Sequence, residues 1–190
     1  MFTEPVHSRR EVQKQATCET VLSTAYQLFR TQGFADTSIR AIAASANVSV
    51  GTVMGVGDKR TLLIETVGEQ IAAMHADMRG QSTDLLEVLT PFLDLFTGHE
   101  ELSRAFGAAL IERGDQGEAL GQLESLLVDE ILLRLDGALE PETATEFAQL
   151  LYHVYLGLLL GWAAGLYSTA ELQVRAAASL NRLETLFGVK

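Results

Sequence analysis

The chain has one cysteine, Cys18, in 190 residues. No internal disulfide is possible, and a reducing cytoplasmic setting is expected. The thiol lies on the first expected helix, either as a small buried apolar residue or, with nothing else behind it, as a redox switch. Prolines number three, so few helices are interrupted from within. Basic residues are scarce. There are 14 Lys and Arg against 25 Asp and Glu, a net charge of −11. That balance excludes a general nucleic-acid binder, because phosphate neutralisation needs cations. No basic-then-apolar segment opens the chain, so no signal peptide is expected.

Catalytic constellations are missing as well. There is no Gly-x-Ser-x-Gly. His7, His75, His99 and His153 form no helical pair and no metal-ligand spacing with the carboxylates. Gly51 to Lys59 has the glycines of a phosphate loop, but Asp58 separates Gly57 from Lys59 and no Ser or Thr follows the lysine. No enzyme, metal or cofactor is expected.

The charge is unevenly spread. Residues 1–60 hold seven Lys/Arg and five Asp/Glu, whereas residues 61–190 hold seven and twenty. A mildly basic head on an acidic body can meet DNA only through the head. Apolar residues make up 47% of the chain, enough for a packed core.

The most organised stretch is Asp36 to Arg60. Asp36 or Thr37 is placed to cap a helix whose apolar face is Ile39, Ile42, Ala43 and Ala46. Asn47 tolerates left-handed geometry at a turn, and Val48 points back to the core. Ser49 caps the next helix, carried by Gly51, Thr52, Val53 and Met54. Two helices joined by so short a turn are the usual way to lay one of them in the DNA major groove.

These residues resemble the TetR-type transcriptional repressors. The shared pattern is Gly33-Phe34-Ala35-Asp36-Thr37-Ser38-Ile39, then Ile42-Ala43, then Val48-Ser49-Val50-Gly51-Thr52, within Cys18 to Ile71. The resemblance implies that Thr37, Ser38 and Lys59 contact phosphates, while Ser49, Val50 and Thr52 face base edges, with Val50 suited to a thymine methyl and Gly51 also among the DNA-binding residues. One departure stands out. Where the family carries a phosphate-contacting Tyr and a later Phe, this chain reads Met54-Gly55-Val56-Gly57, which weakens the expected phosphate clamp.

Along the rest of the chain, Met1 to about Ser8 is expected to be loose. Arg9, Arg10 and Lys14 open the first helix as a phosphate-touching arm or a solvated start. Val21, Leu22, Ala25, Leu28 and Phe29 give it a core stripe, and Gly33 ends it. Asp58 caps a fourth helix with an inner stripe of Leu63, Val67, Ile71, Met74 and Met78. In the family such a helix transmits the ligand signal. His75 on it is either a ligand hydrogen-bonding group or a surface or satisfied core residue. Gly80 to Thr83 and Gly114 to Gly117 read as breaks. Pro91 kinks or splits the segment between them. Thr97 with Glu100, Thr143 with Glu146 and Ser168 with Glu171 have capping-box spacing.

Met74, Met78, Phe92, Phe96, Phe106, Tyr152, Tyr155 and Trp162 form the expected ligand lining, or else plain core. If a lining, they suit an apolar or aromatic molecule. Gly157, Gly161 and Gly165 recur every fourth residue after His153, for close helix approach in a dimer or for space under a ligand. His153, the three glycines, and Leu172, Ala176, Leu180 and Leu183 on the last helix form the expected homodimer interface, a four-helix bundle. Residues 150–166 are apolar apart from His153, but no Lys or Arg flanks them, so a membrane span is the weaker reading.

The expected fold is all-α with about nine helices. Residues 1–58 form a three-helix helix-turn-helix DNA-binding domain, and residues 59–190 a helical ligand-binding and dimerisation domain. The expected function is a homodimeric transcriptional repressor on a pseudo-palindromic double-stranded operator, released by a small-molecule effector. The alternative is a helical homodimer with weakened DNA binding that acts through partner proteins.

Overall fold

The computed structural model describes residues 6–78, 84–112, 118–135 and 137–189, without the side chains of 6–9 and 118. The breaks expected at Gly80 to Thr83 and Gly114 to Gly117, and the Arg9 side chain, lie outside the described residues. Nine helices and no strand are present among them: α1 (Val6–Gln32), α2 (Ile39–Ser45), α3 (Val50–Val56), α4 (Lys59–Met78), α5 (Leu85–Thr97), α6 (Glu100–Glu112), α7 (Glu118–Arg134), α8 (Pro141–Ala163) and α9 (Thr169–Phe187). The chain divides by internal contacts into a head up to Val67 and a body from Gly68. The division falls inside α4, beyond the expected boundary at 58/59.

In the head, α1 starts at Val6, earlier than its sequence suggests. Its stripe of Val21, Leu22, Ala25 and Phe29 is buried together with Ile42, Ala43 and Val53 from α2 and α3. Leu62 and Leu63 at the start of α4 are also fully buried. Gly33 takes φ of 85° after α1, as a left-handed helix stop requires. Asp58 Oδ1 accepts from the Thr61 amide at 2.8 Å and so caps α4 as expected.

The body is built around α8, which packs against α6, α7 and α9. Phe147 and Leu151 of α8 and Leu172, Ala176 and Leu180 of α9 are buried, and Phe147 meets the Phe187 ring edge-on at 5.4 Å. Pro91 sits inside α5, which continues through it. Two expected capping boxes do not form. Thr97 belongs to the last turn of α5 and donates to the Leu93 carbonyl at 2.9 Å. Pro141 opens α8 at a position where its missing N–H costs nothing, so Thr143 is already inside the helix. The Ser168–Glu171 box does form, with both reciprocal bonds.

Gly157, Gly161 and Gly165 have three separate settings. Gly157 is exposed with open space where a Cβ would stand. Gly161 lies under the Tyr167 ring, which a Cβ would strike. Gly165 lies beyond the helix end at φ of 77°, where Leu166 N–H reaches back to the Gly161 carbonyl at 3.0 Å.

Candidate nucleic-acid interface and ligand cavity

The turn between α2 and α3 is built by local chemistry. Ser38, rather than Asp36 or Thr37, caps α2 by accepting from the Ala41 amide at 3.1 Å. Asn47 takes the left-handed conformation at φ of 54°, and Val48 N–H returns to the Ala43 carbonyl at 3.0 Å. Ser49 Oγ then accepts from the Thr52 amide at 3.0 Å and lies 2.8 Å from the Thr52 hydroxyl. The chain bends by 108° between the two helices. That lies within the range of about 90–120° found in DNA-reading helix pairs.

The outer face of α3 presents Val50, Gly51, Met54 and Gly55, with Val50 44% and Met54 51% exposed. It carries no charged side chain. Its chemistry is methyl and thioether contact, which suits the thymine methyl in the major groove. Ser38 and Ser49 are exposed and Thr52 half-buried. Arg40 of α2 and Arg60 of α4 are exposed.

Two expected phosphate contacts are placed differently. Thr37 is 1% exposed, and its hydroxyl is shared between the Gly33 carbonyl at 2.7 Å and the Leu28 carbonyl at 3.2 Å. Its side chain locks the α1–α2 turn and is too buried to reach a phosphate. Lys59 is half-buried, donates to the Ala35 carbonyl at 3.0 Å and lies 4.4 Å from the centre of the Phe34 ring. Desolvation lowers its pKa, and the Asp36 charge works against that. Its ammonium has three donors, so this tie to the turn leaves capacity for a phosphate.

The body holds an apolar cavity of about 150 Å³ that opens to the surface beside Ile111 and Leu160. Phe92, Phe96, Phe106, Tyr152, Tyr155 and Trp162 line it. Met74 and Met78 do not. They are half-buried on a neighbouring stripe of α4, and Ile71 and His75, one turn apart, take their place. Leu120, Leu123 and Leu127 of α7 and Leu156 and Leu159 of α8 complete much of the wall. Sequence reading missed these leucines because lining and packing leucines look alike. No Asp, Glu, Lys or Arg lines the cavity among the described residues.

Its polar atoms are few. Ser103 donates to the Phe96 carbonyl at 2.7 Å, Tyr152 to the Leu120 carbonyl at 3.3 Å, and Trp162 Nε1 to Thr169 Oγ1 at 3.2 Å. His75 Nδ1 and Tyr155 Oη have no partner among the described residues. The His75 ring stacks on Phe92 with centroids 4.2 Å apart. Burial lowers its pKa; Glu130 opposes this, and Arg134 adds to it. Burial pushes the Tyr155 hydroxyl far above its usual range, with Tyr152 contributing.

The expected dimer residues separate into two groups. Leu172, Ala176 and Leu180 are buried within their own chain and are not free to meet a partner. The periodicity that singled them out is that of the α8–α9 core. His153 and Gly157 are exposed on α8, near Leu150 and Leu160. Leu183 is half-buried, whereas Val174 and Leu186 of α9 are 70% and 72% exposed. Among the described residues, no group of His, Cys, Asp and Glu side chains could hold a metal, and no single helix is long and apolar enough to cross a membrane.

Residues 21–55 match the family model described as bacterial regulatory proteins, tetR family. No curated protein matches the sequence. Among solved structures, the chain is similar to Thermus thermophilus FadR, a TetR family transcriptional repressor in complex with lauroyl-CoA. The two are 23% identical over 86% of this chain and 92% of that one, with a TM-score of 0.66. It is also similar to a TetR transcriptional regulator from Rhodococcus sp. RHA1, 17% identical over 90% and 97% of the two chains, with a TM-score of 0.72.

Proposed function

We propose, from the premise that this chain carries a TetR-type helix-turn-helix head on a helical body of the TetR-regulator fold, that it is a homodimeric, cytoplasmic transcriptional repressor released from its operator by a small apolar ligand. The observation that carries the reading is the α2–turn–α3 unit, capped at Ser38 and Ser49, with the face of α3 exposed. Ser49, Val50, Gly51 and Thr52 face base edges, and Ser38 and Lys59 meet phosphates. Two-fold symmetry spaces the two reading helices about 34–36 Å apart, or a multiple of that, on a pseudo-palindromic site.

The dimer forms through the exposed face of α8 and α9, with His153, Gly157 and Leu160 on one helix and Val174 on the other. The body cavity holds the effector. Ile71 and His75 of its wall belong to the same helix whose first residues are packed in the head. Release requires that the ligand bind more tightly to the body conformation that pairs with the released head. That a repressor of the same fold holds lauroyl-CoA supports ligand control by an apolar group.

Selection of bound duplexes from a random library, followed by a salt titration of the enriched site, tests this. A palindromic consensus whose affinity falls with salt is expected. The uncharged face of α3, with Met54-Gly55 at its far end, favours a second reading in which DNA binding is weak and partner proteins carry the function. No enrichment at low salt would select it.

A further inference from the structure

The cavity wall supplies five side chains with polar atoms: His75, Ser103, Tyr152, Tyr155 and Trp162. Three of them are spoken for by protein partners. His75 Nδ1 and Tyr155 Oη are not, although the two residues are only 6% and 7% exposed. Buried polar atoms nearly always have partners, and an exception calls for an explanation. Of the three such atoms among the described residues, Arg134 Nε lies away from the cavity, and the other two belong to residues that line it. Neither atom presents surface as the side chains stand, so an occupant of matching chemistry reaches them through a small shift of the side chains around them.

The rest of the wall limits that chemistry. With no cation or anion on the lining among the described residues, an ionised group brought into the cavity would lose its hydration with no counter-charge in return. Size narrows it further. A cavity of about 150 Å³ lined by Leu, Ile and Phe side chains takes up a benzene-sized molecule, and the cavity here has that volume and lining.

We propose that the effector is an uncharged, ring-sized apolar molecule carrying a single hydroxyl or carbonyl, which it presents to His75 Nδ1 and Tyr155 Oη. This rests on the reading of the cavity as the effector site. A hydroxyl both donates and accepts, and so does the Tyr155 hydroxyl. Neutral imidazole uses Nδ1 as either donor or acceptor, so one oxygen on the ligand satisfies either protein atom. The apolar remainder packs between Phe92, Phe96, Phe106 and the leucines of α7.

Three probes of one skeleton test this by calorimetry on the full chain: ethylbenzene, 4-ethylphenol and 4-ethylbenzoate at neutral pH. The phenol is expected to bind about tenfold tighter than ethylbenzene and about a hundredfold tighter than the carboxylate. Tyr155→Phe and His75→Phe keep a ring at each place. Each should remove most of the margin of the phenol over ethylbenzene, both measured in the same variant. A carboxylate that binds as well as the phenol, or a phenol margin that survives both substitutions, overturns the proposal while leaving the effector cavity standing. If none of the three binds, the cavity reading itself falls and takes the proposal with it.

Discussion

Arg134 lies one turn beyond Glu130 on α7, and the two form an ion pair with side chains only 3% and 4% exposed. The same guanidinium reaches the Met78 carbonyl at the end of α4, at 3.3 Å. A buried pair gains little over apolar packing, but removing one partner strands the other charge. Arg134→Met alone should therefore destabilise the chain by about 3–5 kcal/mol. The double change Arg134→Met with Glu130→Leu should recover most of that. Urea midpoints of the three proteins give the comparison, and a double variant no better than the single would show that the charges are not the issue.

His75 gives stability a pH dependence. Its folded-state pKa is lowered, chiefly by burial, below the ordinary value of 6.5. Above 6.5 the imidazole is neutral in both the folded and the unfolded chain. As pH falls below that value the unfolded chain takes up a proton that the folded chain refuses, so stability drops. Urea unfolding between pH 8 and 5 should show a decline in the acid half of that range. His75→Phe should flatten the decline. An unchanged slope would mean that other groups dominate.

In the head, Thr52→Arg puts a long cation where the half-buried Thr52 hydroxyl meets Ser49. Operator affinity should fall by about tenfold or more. Lys59→Ala should weaken all sequences alike and reduce the salt slope by about one. Binding titrations at several salt concentrations separate the two effects. Affinity untouched by both changes would remove the DNA-binding assignment.

Gly161→Ala and Gly157→Ala should have opposite signs. The first drives a methyl into the Tyr167 ring, whose hydroxyl donates to the Leu158 carbonyl, and should cost about 1–3 kcal/mol. The second adds a methyl in open space on a helix and should stabilise the isolated chain by about 0.5–1 kcal/mol. Gly157→Arg then tests the dimer. Sedimentation should show monomer with unchanged helical content. A dimer that tolerates the arginine would place the interface elsewhere.

What was legible in the sequence was mostly local. The head could be read because Gly33, Asn47, Ser49 and Asp58 each fix a helix end through their own backbone or side chain. Reading the body was harder. Thr97 and Thr143 have the right spacing to a glutamate, but one sits in the preceding helix and the other lies behind Pro141. Glycines four apart share no face for long, because each step of four residues turns about 40° past a full circle. That drift separates the surroundings of Gly157 and Gly161, while Gly165 lies past the end of α8; on α4 the cavity wall takes Ile71 and His75, one turn apart, rather than Met74 or Met78. Leu172, Ala176 and Leu180 show that an apolar stripe says a face is covered without saying by what.

The chain's single tryptophan, Trp162, stands in the cavity wall with its indole N–H bonded to Thr169 at the start of α9. The protein thus carries its own optical label at the place where an occupant would lie. An apolar guest would leave the buried indole in apolar surroundings, so its emission would stay in the blue while its intensity changed. A loosening of the α8–α9 connection would break the Thr169 bond and shift it to the red. Occupancy and disturbance of that joint can be told apart by colour in the unmodified chain.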